Sequence, residues 1–191
     1  MKRFLPLLLI FCLLLQSCAV SLSNWNRTPE DPERFFHYTQ LQKENYYQQY
    51  GIADIVRSGD EFGFSTFATP DRYYYLNSFM PELTRKVSDA RWHLDRVERL
   101  ENFDTSLWLG FWLSSALYVA AETLAGAFDW TTPEGRQQRA TVAVAIGAPA
   151  LVGVSLSSFN LEQRQKAALD QLKDKYNRQL RKELGLAYSY P

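Results

Sequence analysis

Two long uncharged stretches dominate the second half of the chain, and each is followed or preceded by a charged, amphipathic stretch. Residues 106–128 contain one charge, Glu122, and residues 140–159 contain none. At a helical rise of about 1.5 Å per residue, each stretch would span roughly 30 Å or more, the thickness of a bilayer's hydrocarbon core. This mirrored arrangement around the loop at 129–136 predicts a long antiparallel helical hairpin over 82–191, with an apolar tip and a water-compatible base.

The charged flanks of this hairpin show helical periodicity. The first flank has a heptad seam formed by Leu83, Val87, Ala90, Leu94 and Val97. Acid–base pairs at four-residue spacing, Glu82–Lys86 and Asp95–Arg99, are expected on its exposed side, and residues 102–105 are expected to break or recap the helix. The second flank, 161–184, has an apolar stripe and is expected to end at Gly185; the stripe is Leu169, Leu172, Tyr176, Leu180 and Leu184.

Residues 33–81 form an aromatic-rich region that predicts a small α-helical or α+β part. A helix is expected over 33–50, ending at Gly51, with Phe35, Tyr38, Gln42 and Tyr46 on one face. That face is interpreted as core packing or as a surface that binds a partner. Two short strands are expected over 52–68 around a turn at 58–60, and one or two helical turns over 69–81. The predicted fold class is therefore mainly α.

The N-terminal residues have the pattern of an export signal. A positive start, Met1-Lys2-Arg3, precedes an apolar run over 4–15 that is too short to span a bilayer comfortably. The following Leu15-Gln16-Ser17-Cys18 resembles the lipobox of bacterial lipoproteins. The resemblance implies that residues 1–17 are a cleaved signal peptide and that the thiol of Cys18 is acylated. Residues 18–32, which include Pro29 and Pro32, are expected to form a tether from the membrane.

Cysteine usage and charge agree with an exported, lipid-anchored chain. The two cysteines are Cys12, in the predicted signal peptide, and Cys18, so the mature chain could form no internal disulfide. In the lipoproteins that the chain resembles, Asp after the acylated Cys retains the protein in the inner membrane. Ala19 therefore favours the periplasmic face of the outer membrane. The chain has 21 basic and 21 acidic residues, so it lacks a basic field that would attract nucleic acid.

The apolar tip has two interpretations. It either enters the membrane, with Trp108, Trp112 and Trp130 at interfacial depths, or it is the buried core of a water-soluble bundle. Small residues four positions apart would let two helices approach closely in lipid: Ala116/Ala120, Ala121/Ala125, Ala143/Gly147 and Gly153/Ser157. Glu122 would make a polar contact inside the membrane or, as we favour, lie near the end of the span within reach of Arg136 and Arg139.

The sequence contains no motif that identifies an enzyme, a cofactor site or a metal site. His37 and His93 lack a ligand or acid at a useful spacing and are expected to be surface or packing residues. We expect a lipid-anchored envelope protein with a structural, assembly or accessory role, with the membrane and a protein partner or a second copy as its partners. Two alternatives are a binding module that uses the aromatic face and an envelope hydrolase that uses Asp54, Asp60 or Glu61.

Overall fold

The structure, a computed structural model, describes residues 20–27, 32–125 and 132–187. Within these ranges the chain is mainly helical, as the sequence predicts, and it contains one small sheet of four strands where two were predicted. It divides into two compact units: unit 1 runs to Arg91 and resumes at Leu169, and unit 2 comprises Trp92–Ala168. The sequence analysis places the boundary between its two predicted parts at residue 82. The predicted signal peptide, Cys18 and the loop residues 126–131 lie outside the described ranges.

The first helical region of unit 1 is split in two. A 3-10 helix covers Pro32–His37, and helix α1 covers Gln40–Tyr50. The Thr39 hydroxyl accepts a hydrogen bond from the Gln42 amide, and the Gln42 side chain accepts one from the Thr39 amide. This capping box starts a new helix at residue 40, so the prediction of one continuous helix over 33–50 is wrong.

The sheet has the strand order β1-β4-β3-β2. Its strands are β1 (Leu22–Ser23), β2 (Ile52–Ser58), β3 (Glu61–Thr66) and β4 (Thr69–Tyr75). Strands β2, β3 and β4 pair antiparallel, whereas β1 pairs parallel with β4. The β2–β3 turn contains Gly59 at φ +62°, a conformation that favours glycine. This hairpin confirms the predicted strands over 52–68.

Two predictions near the sheet are wrong. The segment expected to form helical turns, 69–81, instead continues as β4 up to Tyr75, and a 3-10 helix covers Leu76–Phe79. The segment expected to be a tether, 18–32, contributes β1 and the buried side chain of Trp25 to unit 1. Strand β1 pairs with β4, which lies far along the chain, whereas β4 pairs mainly with the preceding strand β3. Local composition reveals neither pairing.

Helix α2 covers Met80–Lys86, and helix α3 covers Ala90–Ala125 after a short break at Val87. All five members of the predicted heptad seam, from Leu83 to Val97, are buried. Helix α3 passes through residues 102–105 without a break, contrary to expectation. The pair Glu82–Lys86 is buried, so its predicted place on the exposed side is wrong.

The C-terminal helical region consists of helix α4 (Pro133–Val142), a π-helical turn (Ala143–Gly147) and helix α5 (Ala148–Leu184). The Thr132 hydroxyl accepts a hydrogen bond from the Gly135 amide at 3.2 Å, which caps the start of this region. Gly185 ends α5 at φ +66°, and the amides of Gly185 and Leu186 donate to Lys182 and Arg181 carbonyls. This Schellman pattern satisfies carbonyls at the end of α5.

An aromatic cluster forms the core of unit 1. The Trp25 ring lies 5.0–5.8 Å from the rings of Tyr50, Phe64, Tyr74 and Phe79. Aromatic pairs at such distances add about 0.5–1.5 kcal/mol each beyond the area that they bury. Trp25 therefore connects helix α1 to the sheet.

Candidate functional site: an uncovered apolar surface

Large apolar side chains lie uncovered on both helices of unit 2. Leu117 of α3 is 65% exposed, and Val144, in the π-helical turn, is 68% exposed. Helix α3 also exposes Leu109, Trp112, Leu113, Tyr118 and Val119, and the second apolar segment also exposes Ile146, Leu151, Val152, Leu156 and Phe159. A single exposed apolar residue is ordinary, but a contiguous surface of this kind marks contact with a partner or with lipid.

Within unit 2, the less exposed positions of α3 lie along one narrow stripe. On α3 the less exposed positions include Trp108, Phe111, Ser115 and Glu122, which follow each other at steps of three, four and seven residues. This spacing continues the heptad seam that the sequence shows before residue 97. A seam this narrow leaves most of each helix's circumference uncovered. Ala116, Ala120, Gly153 and Ser157 are exposed, so within the chain these small residues do not form a close contact between helices, while the side chains of Ala121, Ala125 and Ala143 lie outside the described ones.

A polar contact links α3 and α5 at one end of the apolar surface. The indole Nε1 of Trp108 donates a hydrogen bond to the Ser158 hydroxyl at 2.7 Å. That hydroxyl in turn donates to the Asp104 carboxylate. The sequence analysis singled out Trp108 but missed Asp104 and Ser158. The signal for Asp104 was a polar residue at a seam position, four residues before Trp108.

An ion pair links α3 and α4 at the other end of the apolar surface. The Arg139 guanidinium lies 3.0 Å from a carboxylate oxygen of Glu122, and the two side chains are only 13% and 7% exposed. The structure therefore places Glu122 against Arg139, one of the two arginines named as its neighbours, while Arg136 is exposed. An ion pair excluded from water is stable only when both partners remain, because either charge alone would be poorly solvated.

One helix of the described residues is long and apolar enough to cross a membrane. This helix is the continuous stretch Pro133–Leu184, judged by length and composition alone, and none of its most apolar window is buried. The core helix of a soluble protein passes the same test, but its apolar window would be mostly buried. The other predicted segment, 106–128, is described only up to residue 125, and the described part is not among the helices that meet this criterion.

Unit 1 holds a cluster of largely buried charges that includes the predicted pair Glu82–Lys86, whereas the sequence analysis missed Arg85 and Glu183. The Lys86 side chain is 1% exposed; its ammonium group lies 3.2 Å from Glu82 and also pairs with Glu183. Burial alone would raise the pKa of Glu82, but the hydrogen bond from Arg85 and the charge of Lys86 outweigh it, so this pKa is lowered. Burial raises the pKa of the neighbouring Tyr176 well above its usual value. Because its charges are paired, we interpret the cluster as structural.

The aromatic face that was expected to be core or to bind a partner belongs to the core. Phe35 and Tyr46 are buried, with ring centroids 4.8 Å apart, whereas Gln42 is exposed and caps α1. Tyr46 stacks on Tyr50 at 4.3 Å. These rings are occupied by one another and do not present a free surface for a ligand.

The carboxylates considered for hydrolysis lie at or near the β2–β3 turn. Asp60 and Glu61 are exposed, and Glu61 accepts a hydrogen bond from the Asn77 side chain at 3.0 Å. Asp54 accepts one from the Tyr73 hydroxyl at 3.1 Å. Burial and this carboxylate raise the pKa of Tyr73. The first contact is that of a solvated turn, and the second joins β2 and β4 across the intervening strand β3.

His37 is exposed, and His93 is 2% exposed within unit 2. In the described ranges, no group of three His, Cys, Asp or Glu side chains is arranged to hold a metal ion.

Comparison with known proteins gives no relative: no family, no curated protein and no solved structure matches the chain.

Proposed function

We propose that this chain is a lipid-anchored protein of the bacterial cell envelope with a structural or assembly role. In this proposal, acylated Cys18 holds the chain at the membrane, with the periplasmic face of the outer membrane as the favoured location. The helices of unit 2 form a hairpin that inserts its apolar surface into lipid. The protein acts as an accessory subunit of an envelope complex and carries no catalytic activity of its own.

The observation that carries this proposal is the uncovered apolar surface of unit 2. Water-soluble helices usually bury an apolar stripe and expose a polar face. Here the apolar side chains around Leu117 and Val144 lie outside the narrow seam and are exposed. Each exposed apolar area of 100 Å² would gain about 2.5 kcal/mol on leaving water, so a bilayer is a strongly favourable environment for this surface.

The lipobox-like sequence supports the same location independently. Export followed by acylation would place Cys18 in a membrane, and two or three acyl chains anchor a protein much more firmly than one. Both ends of unit 2 lead into unit 1, which also follows Cys18 in the chain. An inserted hairpin would thus return the chain to the side of the membrane where the acyl anchor lies.

Carbonate extraction of membranes that contain the Cys18→Ala variant tests insertion without the lipid anchor. We expect the variant to stay in the membrane pellet, because the hairpin alone would hold it. A matched control adds Leu117→Glu and Leu151→Glu, which place charges on the apolar surface, and should be extracted. Release of Cys18→Ala itself would contradict insertion. Mass spectrometry of the wild-type chain tests the anchor, since a free thiol at Cys18 would contradict acylation.

A further inference from the structure

The two polar contacts in unit 2 lie at opposite ends of the apolar surface. At a helical rise of about 1.5 Å per residue, Asp104 and Glu122 are about 27 Å apart along α3. On the second helical segment, Arg139 and Ser158 are about 28 Å apart by the same measure. The two spacings agree because the same two contacts pair the two segments at both ends. Both spacings are close to the roughly 30 Å thickness of a bilayer's hydrocarbon core.

The residues between these contacts differ sharply from those outside them. No charged residue occurs from 105 to 121 on α3 or from 140 to 158 on the second segment. Charged side chains are exposed immediately outside this zone, at Glu98 and Arg99 on one helix and at Glu162 and Arg164 on the other. At the opposite end, α4 exposes Glu134 and Arg136. The apolar zone is therefore bounded by polar surface at both ends.

This boundary at the tip disfavours shallow insertion. A hairpin that entered only one leaflet would have about 15 Å of hydrocarbon available, half of the bilayer core. The Glu122–Arg139 pair and the charges of α4 would then lie near the bilayer centre, where each charge costs about 2.5–3.5 kcal/mol. Full crossing carries the exposed charges of α4 into water on the far side and leaves only the mutually neutralising pair at the boundary.

We propose that unit 2 crosses the whole bilayer, with Asp104–Trp108–Ser158 at the near boundary and Glu122–Arg139 at the far boundary. This inference rests on the proposed insertion and adds its depth and sidedness. Trp108 then lies at the near interface, where tryptophan is enriched in membrane proteins. Helix α4 lies in the compartment opposite to Cys18 and unit 1. The protein therefore presents a short polar helix across the membrane that anchors it.

Single-cysteine labelling tests this topology in the intact protein. The only cysteines in the sequence are Cys12 and Cys18, so an introduced thiol would be the only free one in the acylated protein. Gln137→Cys and Gln163→Cys form a matched pair, because both are exposed helical glutamines, one in α4 and one beyond the near boundary. Leu117→Cys places a third thiol inside the apolar zone. The probe is a membrane-impermeant maleimide applied to sealed vesicles of uniform orientation from the producing cells.

We expect the two glutamine positions to react from opposite sides: one in sealed vesicles and the other only after permeabilisation. Leu117→Cys should react at least tenfold less than the accessible glutamine position in sealed vesicles, and at least tenfold less than both glutamine positions after gentle permeabilisation. If both glutamine positions react from the same side while Leu117→Cys stays protected, the hairpin inserts without crossing and this inference is overturned. If Leu117→Cys reacts as readily as both, insertion itself is overturned. Gln138→Cys and Arg164→Cys are replacement positions if a first variant does not accumulate.

Discussion

The substitution Lys86→Met removes a charge that is almost completely buried in unit 1. Methionine occupies nearly the same volume, so the main effect is electrostatic, not the creation of a cavity. Glu82 and Glu183, which are 10% and 16% exposed, would lose a shared cation. Removing one partner of a buried ion pair destabilises proteins by about 3–5 kcal/mol, because the remaining charge is left without compensation.

Arg85 limits this loss. Its guanidinium lies 2.9 Å from Glu82 and 3.6 Å from Glu183, and it stays in place in the variant. We therefore expect a decrease of about 3 kcal/mol in the free energy of unfolding, at the lower end of that range. Adding Glu183→Gln to Lys86→Met should recover part of the loss, since Arg85 alone then balances Glu82.

The control is Lys175→Met, which removes the same side chain from a half-exposed pair with Asp89. Exposed pairs contribute about 0–1 kcal/mol, so the control should hardly change stability. Hydrogen exchange of the β3 and β4 amides in the detergent-solubilised protein reports the opening of unit 1 alone. Equal effects of the two substitutions, or a more stable Lys86→Met variant, would refute the electrostatic reasoning.

The same cluster predicts a loss of stability in acid. The pKa of Glu82 is lower in the folded chain than its usual value of 4.5, so the unfolded chain binds a proton more readily. Its contribution is therefore fully present above pH 4.5 and disappears as the pH falls through the folded-state pKa. In the Lys86→Met variant this pKa is lowered less, and the acid-dependent part of the loss should shrink.

Three further substitutions test local features of the fold. Asn177→Ala removes two hydrogen bonds to the backbone of Ile52, at 2.8 and 2.7 Å, and should cost about 1–3 kcal/mol in the same exchange assay. Gly185→Ala should cost about 1 kcal/mol because φ is +66°, whereas Gly153→Ala, inside a helix with open space around it, should be neutral or stabilising in thermal unfolding. Trp25→Ala should lower the free energy of unfolding by about 3–5 kcal/mol. An effect below about 1 kcal/mol would show that the segment around Trp25 is a tether and not part of the core.

Local periodicity revealed the helical elements. The buried positions from Leu83 to Val97 could be predicted because apolar residues spaced alternately by three and four positions lie on one face of a helix. The ends of α5 and of the β2–β3 turn were found because Gly185 and Gly59 need a backbone conformation that few other residues tolerate. These signals act within a few residues and can be read without knowledge of the rest of the chain.

The misses concern contacts that the local sequence pattern does not show. Leu22 pairs with Tyr73 in the sheet, and the polar residues around Leu22 do not predict this pairing. The three consecutive tyrosines of β4 show no alternation, and only pairing with β3 makes them a strand. Lys86 reads as a surface residue because lysine is rarely buried, and only Glu183, far along the chain, explains why it is buried here.

If Cys18 is acylated as proposed, the position of β1 limits how far unit 1 can lie from the membrane. Leu22 follows Cys18 by four residues, and a fully extended chain of that length reaches about 14 Å. The segment that joins Cys18 to the sheet is therefore shorter than half the thickness of a whole bilayer, roughly 20 Å. Unit 1 would therefore remain close to the lipid headgroups.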